Sequence, residues 1–274
     1  MAEHPMGTSP PYREGNEHSD MIVKPEGIVL SKMKYRDTSK ILRLYTREFG
    51  KVSVIAKGAR ETKSKFKAAL EPMNHVACVI YRKDNRDLQL LSQCDVITPF
   101  RHLSEDMGKM RVGLSVVELV DIASHAEEGN EILFSLLVDV LQTVNSATKN
   151  PVSALYYFEM KLSGIMGFNP QLERCVHCNA GIPNGLEETG RCVITHDGIL
   201  CNNCSDNTGR KGISASAVRS LQQMQRATTS ESVLHMNLSP LVNEEVQCSL
   251  LRHLQHHIEG FRGLRSEEVF ATLL

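Results

Sequence analysis

Between Ile22 and Phe100 the apolar residues come in short runs separated by polar turns, which is the pattern of strands. Residues 27–33 lead into a turn at 35–39, and residues 40–46 reach a reversal at 47–50. Residues 51–56 alternate, with Val52, Val54 and Ala56 on one face and Ser53 and Ile55 on the other. After a basic stretch come residues 76–81, a turn at 84–87, and a run from Leu88 towards Val96 and Ile97. Five runs within about eighty residues predict a small five-stranded barrel of the OB type, with a short SH3-like barrel as the competing arrangement.

Beyond Phe100 the period becomes helical. Ser104-Glu105-Asp106 opens a segment with Met110, Leu114, Val117 and Val120 at helical spacing, and Asn130-Glu131 opens another through Leu133, Leu137 and Leu141. Asn150-Pro151 reads as an N-cap followed by proline at the first helical position, starting a third helix through Leu155, Phe158, Leu162 and Ile165. Further helices are predicted over 214–226, from Ser239-Pro240 through Val246, Leu250, Leu254 and Ile258, and after a cap at Ser266-Glu267-Glu268. The fold class expected is α+β. A flexible tail over 1–21 precedes a barrel over 22–100 and a helical domain over 101–274, with an insertion at about 172–208.

That insertion carries Cys175-Val-His-Cys178 and Cys201-Asn-Asn-Cys204, two Cys-x-x-Cys turns separated by 22 residues. Each turn directs two sulfurs at one point, so the pair supplies Cys175, Cys178, Cys201 and Cys204 as a closed four-thiolate shell for one structural zinc ion. His196-Asp197-Gly198, set between short apolar runs, reads as the turn of a β-hairpin that delivers the second knuckle. His177 is expected at the surface, and Cys192 on a hairpin strand outside the shell. Arg174 and Arg191 stand where they can offset the negative charge of four thiolates.

The net charge of −1 conceals a strong asymmetry. From Lys24 to Lys67, thirteen Lys or Arg residues face four Asp or Glu residues, a segment charge of +9. Such segregation marks a polyanion-binding module. Lys57, Arg60, Lys63, Lys65 and Lys67 follow the third strand-like run, where Gly58 lets the chain turn away. These five and Arg43 are the candidate phosphate contacts, with Tyr35, Tyr45 and Phe66 as aromatics able to stack on a base. Phe66 is also placed to seal the barrel beside Leu70.

No Gly-x-x-x-x-Gly-Lys, Gly-x-Gly-x-x-Gly, His-Glu-x-x-His or Gly-x-Ser-x-Gly motif is present, so no catalytic residue is assigned and the chain is not expected to be an enzyme. His253 and His257 have chelating spacing on a helix but lack a third ligand, and an exposed polar face is the expected reading. No apolar run reaches transmembrane length, and the first twenty residues resemble neither a signal peptide nor an anchor. With unpaired Cys-x-x-Cys motifs, this points to the reducing cytoplasm.

Lys57-Gly-Ala-Arg60, Lys63-Ser-Lys65-Phe66 and Leu70-Glu-Pro72 together resemble the RecO family of bacterial recombination mediators. So do the approach to the cysteines through Gly167-Phe-Asn-Pro170 and Leu172, and the closing stretch from Leu250 to Leu274. The resemblance runs from about Ile22 to the C-terminus, departing in a longer N-terminal tail and in a single Gly198 where the family often has a Gly-rich turn. It implies a nucleoid-associated DNA repair and recombination protein that binds single- and double-stranded DNA and anneals complementary strands. It further implies contact with the single-stranded-DNA-binding protein and, with RecR, help in loading RecA. Arg219, Arg226 and Arg252 are candidates for the contact with that protein's acidic tail. The alternative is a zinc-ribbon nucleic-acid-binding factor of transcription or RNA metabolism.

Overall fold

The computed structural model describes residues 21–66, 68–83, 85–126, 128–182, 191–205 and 212–272. Six strands come first: β1 (Met21–Val23), β2 (Glu26–Tyr35), β3 (Ser39–Thr46), β4 (Gly50–Ala56), β5 (His75–Arg82) and β6 (Leu88–Thr98). β1 and β2 lie on β5 in one unbroken antiparallel register, Val23 opposite Ile80 and Glu26 opposite Ala77. Pro25 has no N–H to extend the ladder, yet its carbonyl accepts from Cys78 N at 3.0 Å. The two therefore act as one interrupted strand, and the barrel has the five strands that the apolar runs predicted. Closure comes from the antiparallel β5–β6 pairing and a parallel β4–β6 pairing at Ser53–Leu88, Val54–Gln89 and Ile55–Leu90.

The barrel interior gathers Val29, Leu42, Leu44, Val52, Val54, Phe66, Leu70, Val76 and Ile80, all buried. Residues 27–30 of β2 are buried on both faces, which is why they do not alternate. Val29 points into the barrel, whereas Ile28, Leu30 and Tyr45 join the core of the helical part.

That part contains α1 (Arg101–Glu105), α2 (Met107–Ala123), α3 (Glu131–Ser146), α4 (Pro151–Ile165), β7 (Arg191–Ile194), β8 (Ile199–Leu200), α5 (Asn202–Ser205), β9 (Ile213–Ser214), α6 (Ala215–Arg226), α7 (Pro240–His257) and α8 (Arg265–Ala271). α4 is central: every residue from 153 to 160 is buried. Asp106, Asn130, Ser214 and Ser239 cap α2, α3, α6 and α7 through side-chain hydrogen bonds.

Two expected caps differ. Asn150 occupies the N-cap position of α4 in a left-handed conformation, and its amide instead donates to Met236 O at 2.9 Å. Ser266 lies inside α8, whose first N–H groups are met from a distance. Glu118 of α2 accepts from Arg265 N at 2.8 Å, Ser266 N at 2.9 Å and Ser266 Oγ at 2.7 Å.

Barrel and helices meet backbone to backbone. A Cβ on Gly50, whose φ is +58°, would lie 2.1 Å from Glu128 O, and one on Gly129 would lie 2.3 Å from Glu48 O. Around this contact His75 reaches Glu26 Oε1 at 2.6 Å, and Arg47 pairs with Glu26 and Glu131 at 3.3 Å each. Arg47 also lies over the Phe134 ring, 4.5 Å from its centroid.

Candidate metal centre and nucleic-acid interface

The first knuckle is built by backbone bonds. Cys175 N donates to Ala180 O at 2.8 Å and Asn179 N to Cys175 O at 2.9 Å, with Asn179 left-handed at φ 59°. The second sits at the start of α5, where Cys204 N and Ser205 N both donate to Cys201 O at 3.0 Å. A hairpin of β7 and β8 delivers it, with Val193 opposite Leu200 and Ile194 opposite Ile199. One glycine is enough for the turn. Gly198, at φ +145°, lies against Gln171, whose carbonyl oxygen is 2.1 Å from where a Cβ would stand. Gln171 N donates to Asp197 O and Ile199 N to Gln171 O, each at 2.9 Å, so the segment entering knuckle one is sewn to the hairpin of knuckle two.

The sulfurs of Cys175, Cys178, Cys201 and Cys204 all lie within 4.8 Å of one another and can hold a metal ion. Cys178 and Cys201 are 3.6 Å apart. A tetrahedral thiolate centre with bonds of about 2.3 Å has sulfur–sulfur edges of about 3.8 Å, so the cluster needs little adjustment. Burial works against a charge on Cys175, but the N–H groups of Cys178, Cys201 and His177 outweigh it and bring that thiol down to about 6. Cys204 is pushed up to about 12 by hydrogen bonding with Cys201 and Cys178. His177 is exposed, its Nδ1 3.5 Å from Cys204 Sγ. Cys192 is buried on β7, outside the shell. Arg174 Nη1 donates to Asn179 O at 3.2 Å, whereas the side chain of Arg191 falls outside the described residues.

His253 and His257 do not form the exposed polar face expected, because His253 is buried and His257 is half-buried. Their Nδ1 and Nε2 both face His196 O, at 2.7 and 3.2 Å, while His257 stacks on Phe168. Burial lowers the pKa of His253, favouring the neutral ring.

Cations of the N-terminal segment divide into two sets. Lys32 and Lys40 pair with Glu71, Arg47 with Glu26 and Glu131, and Arg43 and Lys51 with Asp121 of α2. Lys57, Arg60, Lys63 and Lys65 are exposed, and among the described residues none meets a carboxylate. Lys67 lies outside the described residues. The chain leaves β4 through Gly58 at φ +71°, and the loop then docks on the β2–β3 turn. Arg60 N donates to Thr38 O and Arg60 Nη1 to Arg36 O, both at 2.9 Å. This brings exposed Lys34 and Arg36 to the same end of the barrel as the loop, cations that spacing alone had not singled out. The Arg36 guanidinium is 5.2 Å from the centroid of the half-buried Tyr35 ring. Tyr45 and Phe66 are buried, at 1% and 2% exposure, and are unavailable for stacking.

A profile described as Recombination protein O N terminal matches residues 21–100, and one described as Recombination protein O C terminal matches residues 104–267. This chain belongs to the RecO family. Relatives named DNA repair protein RecO include one from Chloroherpeton thalassium, 29% identical over 259 residues, covering 93% of this chain and 100% of that protein. Another, from Salinibacter ruber, is 31% identical over 253 residues, covering 92% and 94%. A third, from Chlorobaculum parvum, is 39% identical over 179 residues, covering 65% and 69%. The RecO profiles meet close to the end of β6, where strands give way to helices. No helix among the described residues is long and apolar enough to cross a membrane.

Proposed function

We propose that this RecO-family chain is a DNA repair and recombination mediator rather than an enzyme, and that it grips single- and double-stranded DNA with the barrel end bearing Lys34, Arg36, Lys57, Arg60, Lys63 and Lys65. One observation carries this reading: Lys32, Lys40, Arg43, Arg47 and Lys51 are neutralised by acids, whereas the cations of the loop and the adjoining turn are exposed and without carboxylate partners among the described residues. A surface with one half-buried tyrosine and many cations screens phosphates and leaves base edges free to pair, which is what annealing complementary strands requires. One zinc ion held by Cys175, Cys178, Cys201 and Cys204 is structural, bracing the hairpin and the segment that enters it.

Family membership supports the further role of loading RecA, together with RecR, on strands coated by the single-stranded-DNA-binding protein. We assign the acidic tail of the last to a groove of about 740 Å³ between α3, α4 and α6, with Ile132, Leu136, Met160 and Ile165 as apolar lining. Lys161, whose ammonium donates to Gln225 O at 2.7 Å, is the lining cation without a carboxylate partner among the described residues, whereas Arg226 is paired with Glu173 at 2.7 Å.

The test is the salt dependence of single-strand binding. Each phosphate contact contributes about −0.7 to the log–log slope, so Lys57→Ala, Lys63→Ala and Lys65→Ala combined should flatten it by about 2 and slow annealing. An unchanged slope would move the interface off this loop. Binding lost on metal removal alone would favour the zinc-ribbon alternative.

A further inference from the structure

Helices α4, α7 and α8 border a cavity of about 170 Å³, built from elements other than those that carry the cysteine cluster and the basic loop. Its walls are mainly apolar, formed by Leu155, Leu251, Phe261 and Leu264. The most deeply buried carboxyl of this lining is that of Glu159, on the most deeply buried helix and only 7% exposed. No hydrogen bond or ion pair joins the Glu159 carboxyl to another of the described residues, and the group is left facing the cavity. A carboxyl so placed, with little water and no protein donor, is costly, and native structures nearly always supply a partner.

The neighbouring charges are otherwise accounted for. Glu267 of α8 accepts from Ser115 Oγ at 2.9 Å and lies 3.6 Å from Arg111 Nε. Glu268 and Arg262 also line the cavity and are exposed. Of the three carboxyls that line the cavity, Glu267 alone has a guanidinium within 4 Å among the described residues, and Glu159 is the most deeply buried.

We propose that this cavity is a binding site for a short aliphatic amine, whose ammonium meets the Glu159 carboxylate while its hydrocarbon stem lies against Leu155, Leu251, Phe261 and Leu264. A volume of 170 Å³ admits such a stem but is too small for a nucleotide or a drug-sized ligand. Apolar walls favour an alkyl chain over a hard hydrated cation, which demands several oxygen ligands. Burial, followed by repulsion from Glu267, pushes the Glu159 carboxyl up to about 8, so near neutral pH the incoming ammonium displaces its proton. The groups that bear on this titration are Tyr156 of α4, Arg111 of α2, Glu267 and Glu268 of α8, and Arg262 of the preceding connection.

The probe is n-butylammonium chloride, titrated calorimetrically and by thermal shift into the metal-loaded full chain, against n-butanol and sodium chloride at equal concentration. Saturable binding and a raised Tm are expected with the ammonium alone. Affinity should rise by roughly tenfold between pH 6.5 and pH 7.5, the slope of one displaced proton. Glu159→Gln should weaken binding at least tenfold, and Leu251→Trp, which fills the stem channel and keeps the carboxyl, should do the same. The proposal is overturned if wild-type protein gives no response beyond that to butanol, if affinity is flat across this pH range, or if a folded Glu159→Gln variant binds like wild type.

Discussion

The guanidinium of Arg43 lies 2.7 Å from the carboxylate of Asp121, joining barrel strand β3 to helix α2 across 78 residues of sequence. Lys51, on the neighbouring strand, adds its ammonium to Asp121 O at 2.6 Å and to the carboxylate at 3.8 Å. Burial lowers the Lys51 pKa, with Asp121 opposing the shift. Asp121→Ala removes the shared counter-ion from two cations, and since the Asp121 side chain is only 13% exposed, the loss should cost about 1–3 kcal/mol. Urea denaturation measures it. A variant as stable as wild type would mean that the Asp121 carboxylate adds nothing to the seam.

Gly198→Ala should damage the metal centre without touching a ligand. Its φ of +145° is strained for any side chain, and the new methyl would overlap the Gln171 backbone. We expect a loss of about 2–4 kcal/mol and faster metal transfer to a chromophoric chelator. Gly181→Ala, where nothing lies within 4 Å, is the control that should behave like wild type.

Metal uptake should be steeply pH-dependent. The stripped cluster holds Cys175 near 6 and Cys204 near 12, and coordination requires every sulfur as thiolate. Competition titrations between pH 6 and pH 8 should show apparent zinc affinity climbing by more than one log unit per pH unit. A slope of one or less would mean that fewer sulfurs than four are bound.

Glu159 makes its own stability signature. Its carboxyl is raised to about 8 in the folded chain, whereas an unfolded glutamate titrates at about 4.3. The folded state therefore keeps a proton that the unfolded state loses. The stability associated with this group is full below pH 4 and declines as pH rises to about 8. Glu159→Gln lacks this decline, so it should exceed wild type by on the order of a few kcal/mol at pH 9 and by little at pH 5. Denaturation midpoints at the two pH values decide it: a gap of constant size would contradict the assignment.

What the chain reveals before folding follows from how local each determinant is. Alternation at Val52, Val54 and Ala56 reports one buried face, and two Cys-x-x-Cys turns report a shared point in space, so barrel and cluster were both legible. The unbroken run at residues 27–30 held the clue to the seam, because only a strand covered on both faces is apolar on both. Tyr45 looked free to stack, but its side chain is taken up by helices far along the chain. Likewise, the α8 cap is supplied by Glu118, and the partner that neutralises Arg43 and Lys51 is Asp121; no local rule reaches so far. Formal charge over a segment counts cations but not their pairing, and pairing is what distinguishes the loop lysines from the rest.

Gly50 and Gly129 leave no cushion of side chains between the β3–β4 turn and the link joining α2 to α3. With no room for even a methyl group there, the separation of barrel and helices at this point is set by backbone shape alone. Substituting either glycine would force these two stretches of main chain apart.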